Sequence, residues 1–495
     1  MNYLELLQLA APEAIVVIAA LAVLTIGLVT GRRATGPSSI GSLVAALGLL
    51  LSIVAILRLP AHATLFHGML VISPLNSLFK IVCLTLAFFT VLLARGDRLL
   101  PNKSEYLAMI LLATIGLMLL VGSEELLMIF IGLELTGLSL YVLAAFDKND
   151  PRAAEAGLKY FLFGSTASAF TLFGLSFIYG FCGSTSLAII GQKIFAEPIP
   201  PLLFAGMVMT LIGLAFKIAA APFHLWAPDA YQAAPLPSAA FIASGSKVAS
   251  FVVLGKVVLD GFGPLAGSAG WYDFTIGWTP VLAVLAALSI LIGNLVALVQ
   301  KNVRRLLAYS AVAHAGYTLL GLIATGRAGF AATLFYTTIY GFTLVGAFGV
   351  VAFVRRETGG DDLKDFAGLR ARSPLLAGCM AIFLLSLAGL PPLAGFFGKF
   401  YLFSAALRAD AGHGLLWLVV LALFGSLISL YYYLIVLKVI FLDGEKFALG
   451  ASPRYDFEAR ADFLPRLAVF VLAATVLLLG LFPGMLVERI LASFL

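Results

Sequence analysis

The sequence predicts an all-α polytopic membrane protein of about fourteen transmembrane helices, built as two inverted five-helix repeats that each contain a discontinuous helix. Three observations predict it. Apolar runs of about 20 residues, the length that crosses a hydrocarbon core of about 30 Å, recur along all 495 residues. Charged residues are 11% of the chain against 62% hydrophobic, and mean hydropathy is +1.06. Prolines interrupt two of the runs at comparable places. Strands of barrel type, alternating polar and apolar side chains, are absent from the pattern, so the backbone must satisfy its hydrogen bonds within helices.

The spans read as 12–30, 39–59, 74–95, 104–121, 124–145, 155–180, 201–221, 236–259, 277–299, 303–324, 328–354, 374–408, 414–442 and 463–492. The first lacks a basic leader and a small-residue cleavage site, so it reads as a retained span. Cys83, Cys182 and Cys379 are far apart, and neither a disulfide framework nor a metal site follows from them. The chain divides into an N-terminal three-helix segment (1–103), a first repeat (104–259), a second repeat (277–442) and a C-terminal helix (443–495).

An even number of spans puts both termini on one side. With that side outside, nineteen of the 31 lysines and arginines fall in inner loops, among them Arg32, Arg33, Arg98, Arg304, Arg355, Lys446, Arg454 and Arg460, and five fall in outer loops. The positive-inside rule therefore places both termini outside the cytoplasm. The net charge of +6 is a topology signal and gives no reason to propose nucleic acid as a partner.

The remaining lysines are read by depth. Lys80, Lys159, Lys256 and Lys438 lie within a turn or two of a span end, where a long side chain can snorkel to the headgroups. Glu134 and Lys247 lie at the centres of their spans. A charge there costs about 3 kcal/mol or more, so each should face the protein interior with a partner, water or a transported ion. His314 is also central and is either a hydrogen-bonded interior residue or a relay.

In the seventh span, Pro222 removes a backbone donor just after Lys217, and apolar residues continue without a charged loop, which reads as a helix broken inside the membrane. His224, beyond that proline, either caps the broken helix or passes protons. The run 374–408 is too long for one untilted crossing and carries Pro391 and Pro392 in its middle, with Lys399 in the second half. Pro222 lies 118 residues beyond residue 104, and Pro391 lies 114 beyond residue 277. Each break falls in the fourth helix of a set of five. An odd number makes the second set start from the opposite face, the inverted repeat that transporters use.

The motifs "IGLELTGLSLYVLAAF", "EAGLKYFLFGSTASAFTLFG", "KIAAAPFHLWAPDAYQAAPLPSAAFIASGSK", "RRLLAYSAVAHAGYTLLG", "LAGLPPLAGFFGKFYLFSAAL" and "SLISLYYYLIVLKVIFL" occur in this order. Across about residues 100 to 445 the chain resembles the antiporter-like family of respiratory complex I, and within it the subunit N branch. The lysine of "GFFGKF" fits that branch, since the M branch typically has a carboxylate there; the L branch adds a long C-terminal extension.

The resemblance implies a proton-translocating, non-redox subunit of an NADH:quinone oxidoreductase in a bacterial cell membrane. Flavin, iron–sulfur clusters and quinone are then expected in partner subunits, and the partners are the other antiporter-like and small helical membrane subunits, the lipid bilayer and protons. No cofactor is expected in this chain, because no GxGxxG after a strand, CxxC cluster or haem-attachment motif occurs. The family's relay residues carry over onto Glu134, Lys217, Lys247 and Lys399, with Lys159, His224 and His314 as further candidates. The alternatives are a subunit of a multi-subunit sodium/proton antiporter and a scaffold that does not transport.

Overall fold

A run of apolar residues buries its backbone polar groups wherever it crosses lipid, and every element of this fold answers that requirement with a helix or with a side chain that replaces the missing bond. The structure, a computed structural model, describes residues 3–30, 39–97, 100, 102–194, 200–409, 412–443 and 463–494. Arg32, Arg33, Arg98, Lys446, Arg454 and Arg460, counted above among the inner-loop charges, lie outside the described residues.

Among the described residues, twelve helices are long and apolar enough to cross a membrane, and two shorter apolar helices, Pro201–Lys217 and Pro374–Ala388, belong to the broken spans. Each of the fourteen expected spans therefore holds a helix. Three of them form the centre, with 94%, 94% and 89% of an apolar 18-residue stretch of Leu236–Gly261, Val303–Ile323 and Gly326–Thr358 buried. The periphery is apolar and outward-facing, as at Leu47, Phe161, Phe173, Val420 and Leu427, which suits lipid contact.

Several boundaries differ from the hydropathy reading. The last span, expected as 463–492, is two helices, Phe463–Leu481 and Gly484–Ala492, because Pro483 between them cannot continue the first. A helix Tyr3–Leu9 and a hairpin pairing Ala63–Leu65 with Leu70–Ile72 are additional, being too short to register in a window of membrane length.

Both proline breaks are present. The first interrupts the chain between Pro201–Lys217 and Trp226–Ala233, with Ala219 at φ +56°. Ala221 N donates to Ser289 Oγ (2.8 Å), and Trp226 Nε1 donates to the Phe216 carbonyl (3.2 Å). Arg304 Nε donates to the Tyr231 carbonyl (2.8 Å) and its Nη2 to that of Ala234, closing the end of the short helix. Arg304 was counted among loop charges; it is instead fully buried, because those end carbonyls and Asp361 (3.3 Å) need a multidentate donor. The second break separates Pro374–Ala388 from Ala394–Arg408. Gly389 (φ +86°) caps the first piece in the left-handed conformation, and Gly395 N donates to Ser386 Oγ (3.1 Å).

Of the four lysines expected to reach the headgroups, two are buried and a third, Lys159, pairs with carboxylates. Lys80 is buried in an ion pair with Glu13 (2.6 Å). Lys256 is buried and donates to Asn76 Oδ1 (2.6 Å) and to the Val121 carbonyl (2.8 Å), with Glu124 at 3.8 Å. Both side chains point into the bundle, a direction that depth alone does not reveal. Lys438 is exposed, as expected. These inward contacts join the N-terminal helices Ala11–Thr30 and Pro74–Gly96 to each other, and the latter to the helix that carries Lys247.

Candidate functional site

The candidate site is a set of buried charges strung through the middle of the bundle. Lys217 is the last residue of its helix, buried beside Leu126–Ala144, and its Nζ donates to the Leu133 carbonyl (3.3 Å) and to Tyr141 Oη (3.4 Å). Glu134, on that neighbouring helix, is half-buried and accepts a hydrogen bond from Ser168 of Pro151–Cys182. The structure thus brings Glu134 and Lys217 to one helix, while no ion pair joins them among the described residues. Tyr141 sits against Tyr160 (centroids 4.6 Å), which stacks on Trp226 at 4.0 Å, so aromatic surface walls Lys217 off beside the break.

Lys247 is buried on Gly245–Lys256, donates to the Ala311 carbonyl (2.7 Å) and lies 5.6 Å from the Tyr340 ring centre. Lys399 is buried just beyond the second break. Its Nζ reaches back to the Ala388 carbonyl (3.0 Å), the C-terminal end of the preceding half-helix, and to Ser426 Oγ (2.9 Å). It also faces the Tyr317 ring at 5.1 Å.

His314 lies between these two lysines. Its Nδ1 is 2.6 Å from Tyr336 Oη and its Nε2 is 3.1 Å from Tyr433 Oη. The Tyr340 ring is 5.2 Å and the Tyr317 ring 5.5 Å from the imidazole, so the rings that face Lys247 and Lys399 both touch His314. Tyr433 Oη also shares a hydrogen bond with Ser310.

The remaining candidates take other places. Lys159 is partly exposed and pairs with Asp229 (2.8 Å) and Glu155 (2.7 Å); Asp229 pairs in turn with Arg305 (2.7 Å). Lys159 therefore reaches a carboxylate beyond the first break, where a snorkelling side chain was expected. His224 is buried against Tyr309, and its Nδ1 has no hydrogen-bond partner among the described residues, so that nitrogen caps no helix end. No described contact connects Lys217 with Lys247. The three cysteines are buried and free, and the described residues include no cluster of His, Cys, Asp and Glu suited to a metal ion.

Ser168, Tyr336 and Tyr433 carry no charge and so do not stand out in the sequence, and Asp229 does not because it lies on a short helix beyond the break, 70 residues from Lys159. A signal was present: Glu134 and Tyr141 lie seven apart, Ser310, His314 and Tyr317 lie four and three apart, and Tyr336 and Tyr340 four apart, each set on one face of a helix.

Comparison with known proteins shows the family. The family described as NADH:quinone oxidoreductase/Mrp antiporter, transmembrane, matches residues 123–429. NADH-quinone oxidoreductase subunit N 2 of Acidobacterium capsulatum is 44% identical, covering 98% of this chain and 99% of its own. The chain belongs to the subunit N family. Subunit N of Desulforamulus reducens is 41% identical over 90% of this chain and 89% of its own. A chain of respiratory complex I from Thermus thermophilus superposes with a TM-score of 0.77 at 33% identity, covering 96% of this chain and 98% of that one. A chain of the Mrp complex from Dietzia superposes at 0.82 but at 20% identity, covering 98% and 97%, a likeness of fold alone.

Proposed function

We propose that this chain is a proton-translocating, non-redox membrane subunit of NADH-quinone oxidoreductase, coupling quinone reduction elsewhere in the complex to proton transfer through buried side chains. Glu134 and Lys217 form the inlet, Lys247 the middle and Lys399 the outlet, with His314 between the last two and Lys159 and His224 at the inner approach. One observation carries the reading. Of the five lysines buried among the described residues, Lys217, Lys247 and Lys399 are each held by carbonyls or hydroxyls with no carboxylate in ion-pair range. Neutral acceptors of this kind leave each side chain a place as ammonium and as amine. A structural buried lysine is instead paired, as Lys80 is with Glu13.

In this reading a movement that brings Glu134 toward Lys217 favours the charged lysine, and withdrawal releases its proton onward. The partners are the other membrane subunits of the complex, and subunits outside this chain hold the flavin, iron–sulfur clusters and quinone. The membrane is the bacterial cell membrane, with both termini on its outer side. The sodium/proton antiporter reading has the fold in its favour, whereas the sequence relatives carry the oxidoreductase name. Affinity purification of the native assembly through a tag on this chain decides between them. Flavin and iron–sulfur subunits are expected to co-purify, and their absence from an intact assembly that exchanges sodium for protons would overturn the assignment.

A further inference from the structure

The motif "SLISLYYY" places a polar stripe in an otherwise apolar helix. Ser426, Ser429 and Tyr433 are three and four residues apart on Leu416–Phe441, hence on one face, and Tyr432 adjoins them. Ser429, Tyr432 and Tyr433 are buried although the same helix leaves Tyr431 62% exposed. The two ends of the stripe touch titratable groups. Tyr433 Oη meets His314 Nε2 at 3.1 Å, and Ser426 Oγ accepts from Lys399 Nζ at 2.9 Å.

The interior of the stripe is hydrogen-bonded as well. The Tyr433 ring packs edge-on against that of Tyr432 (centroids 4.6 Å), and the Tyr432 hydroxyl donates to Asn294 Oδ1 at 3.2 Å. Asn294 Nδ2 donates to Tyr317 Oη at 2.8 Å, and Ser429 Oγ donates to the Ser426 carbonyl at 2.7 Å. Hydroxyls accept and donate at once, so they hand protons on, whereas an amide group only holds its neighbours in place.

We propose that Tyr433, Tyr432, Ser429 and Ser426 conduct the proton from His314 to Lys399. The proposal rests on the function assigned above. One proton is released by the imidazolium at Nε2 and one is taken up by the Lys399 amine; each hydroxyl, and each water that bridges Tyr432 to Ser429 and Ser429 to Ser426 Oγ, accepts a proton as it releases its own. Only N–H and O–H bonds form and break, and the hydroxyls end uncharged. A stripe present only for packing would do as well with phenylalanine at position 433, since the ring would stay and only the hydroxyl would leave.

The test uses the whole assembled complex in liposomes, measuring NADH-driven proton uptake together with the deuterium isotope effect of the solvent. Tyr433→Phe is expected to slow coupled proton translocation by roughly tenfold or more and to raise the isotope effect, in keeping with the loss of a positioned proton-transfer group. Tyr431→Phe, on the exposed side of the same helix, is expected to change neither. Should Tyr433→Phe prevent assembly, Ser426→Ala, a smaller change, is expected to give the same kinetic result. Normal translocation in an assembled Tyr433→Phe or Ser426→Ala complex, with Lys399→Ala impaired, overturns the stripe and leaves the proposed function standing. Normal translocation in Lys399→Ala as well would sink the proposed function itself.

Discussion

A buried lysine that moves protons and one that holds the fold differ at the residue scale in what surrounds Nζ. Lys399 has a carbonyl, a hydroxyl and a tyrosine face around it. Arginine keeps the charge but does not readily give up its proton, and its fork does not fit a two-acceptor pocket built for an ammonium. Lys399→Arg is therefore expected to lose proton translocation nearly as completely as Lys399→Ala, while NADH oxidation by an artificial acceptor continues. Near-normal translocation by an assembled Lys399→Arg complex would remove this residue from the path. The contrast between central and peripheral lysines was only half legible in the sequence. Depth in a span identified Lys247, and Lys399 followed from its place beyond the proline pair. Depth could not say that Lys80 and Lys256 turn inward, because position along a helix does not report which neighbour its side chain faces.

The two broken spans are the elements on which the account depends, and each exposes backbone groups that a side chain must satisfy. Ser289, Trp226 and Arg304 do so at the first break. At the second, Ser386 and Lys399 do, and the two half-helices approach so closely that a Cβ on Gly395 would lie 1.9 Å from the Ser386 carbonyl oxygen. Gly395→Ala must push the halves apart and carry Lys399 away from Ala388. The expected result is a severe loss of proton translocation or of assembled complex, whereas Gly378→Ala, on the same broken span with open space around it, is expected to be silent. Equal behaviour of the two variants, scored by complex yield and by acidification of liposomes, would refute this packing argument. The breaks themselves were readable from Pro222, Pro391 and Pro392 in apolar surroundings. Their satisfying partners were not, since Ser289 is 68 residues from Ala221 and Arg304 is 73 from Tyr231.

Across the whole molecule, hydropathy located all fourteen spans because each is a local property of about 20 residues. The polar thread through the centre escaped for the opposite reason. Asn294, Tyr317, Tyr432 and Tyr433 come from three helices and acquire a common purpose only when those helices pack. The orientation proposed across the membrane rests on the charge bias and is open to a direct check: a cysteine introduced into the 356–373 loop should react with an impermeant thiol reagent from the cytoplasmic side alone, and labelling from outside in intact cells would reverse the path. The central claim, that protons cross through this chain by way of Glu134 and Lys217, is tested most directly by NADH-driven proton translocation in liposomes that contain the assembled complex. Glu134→Gln and Lys217→Ala are expected to reduce both translocation and the coupled quinone reduction while peripheral NADH oxidation survives. Full translocation by both variants in an intact complex would contradict the account.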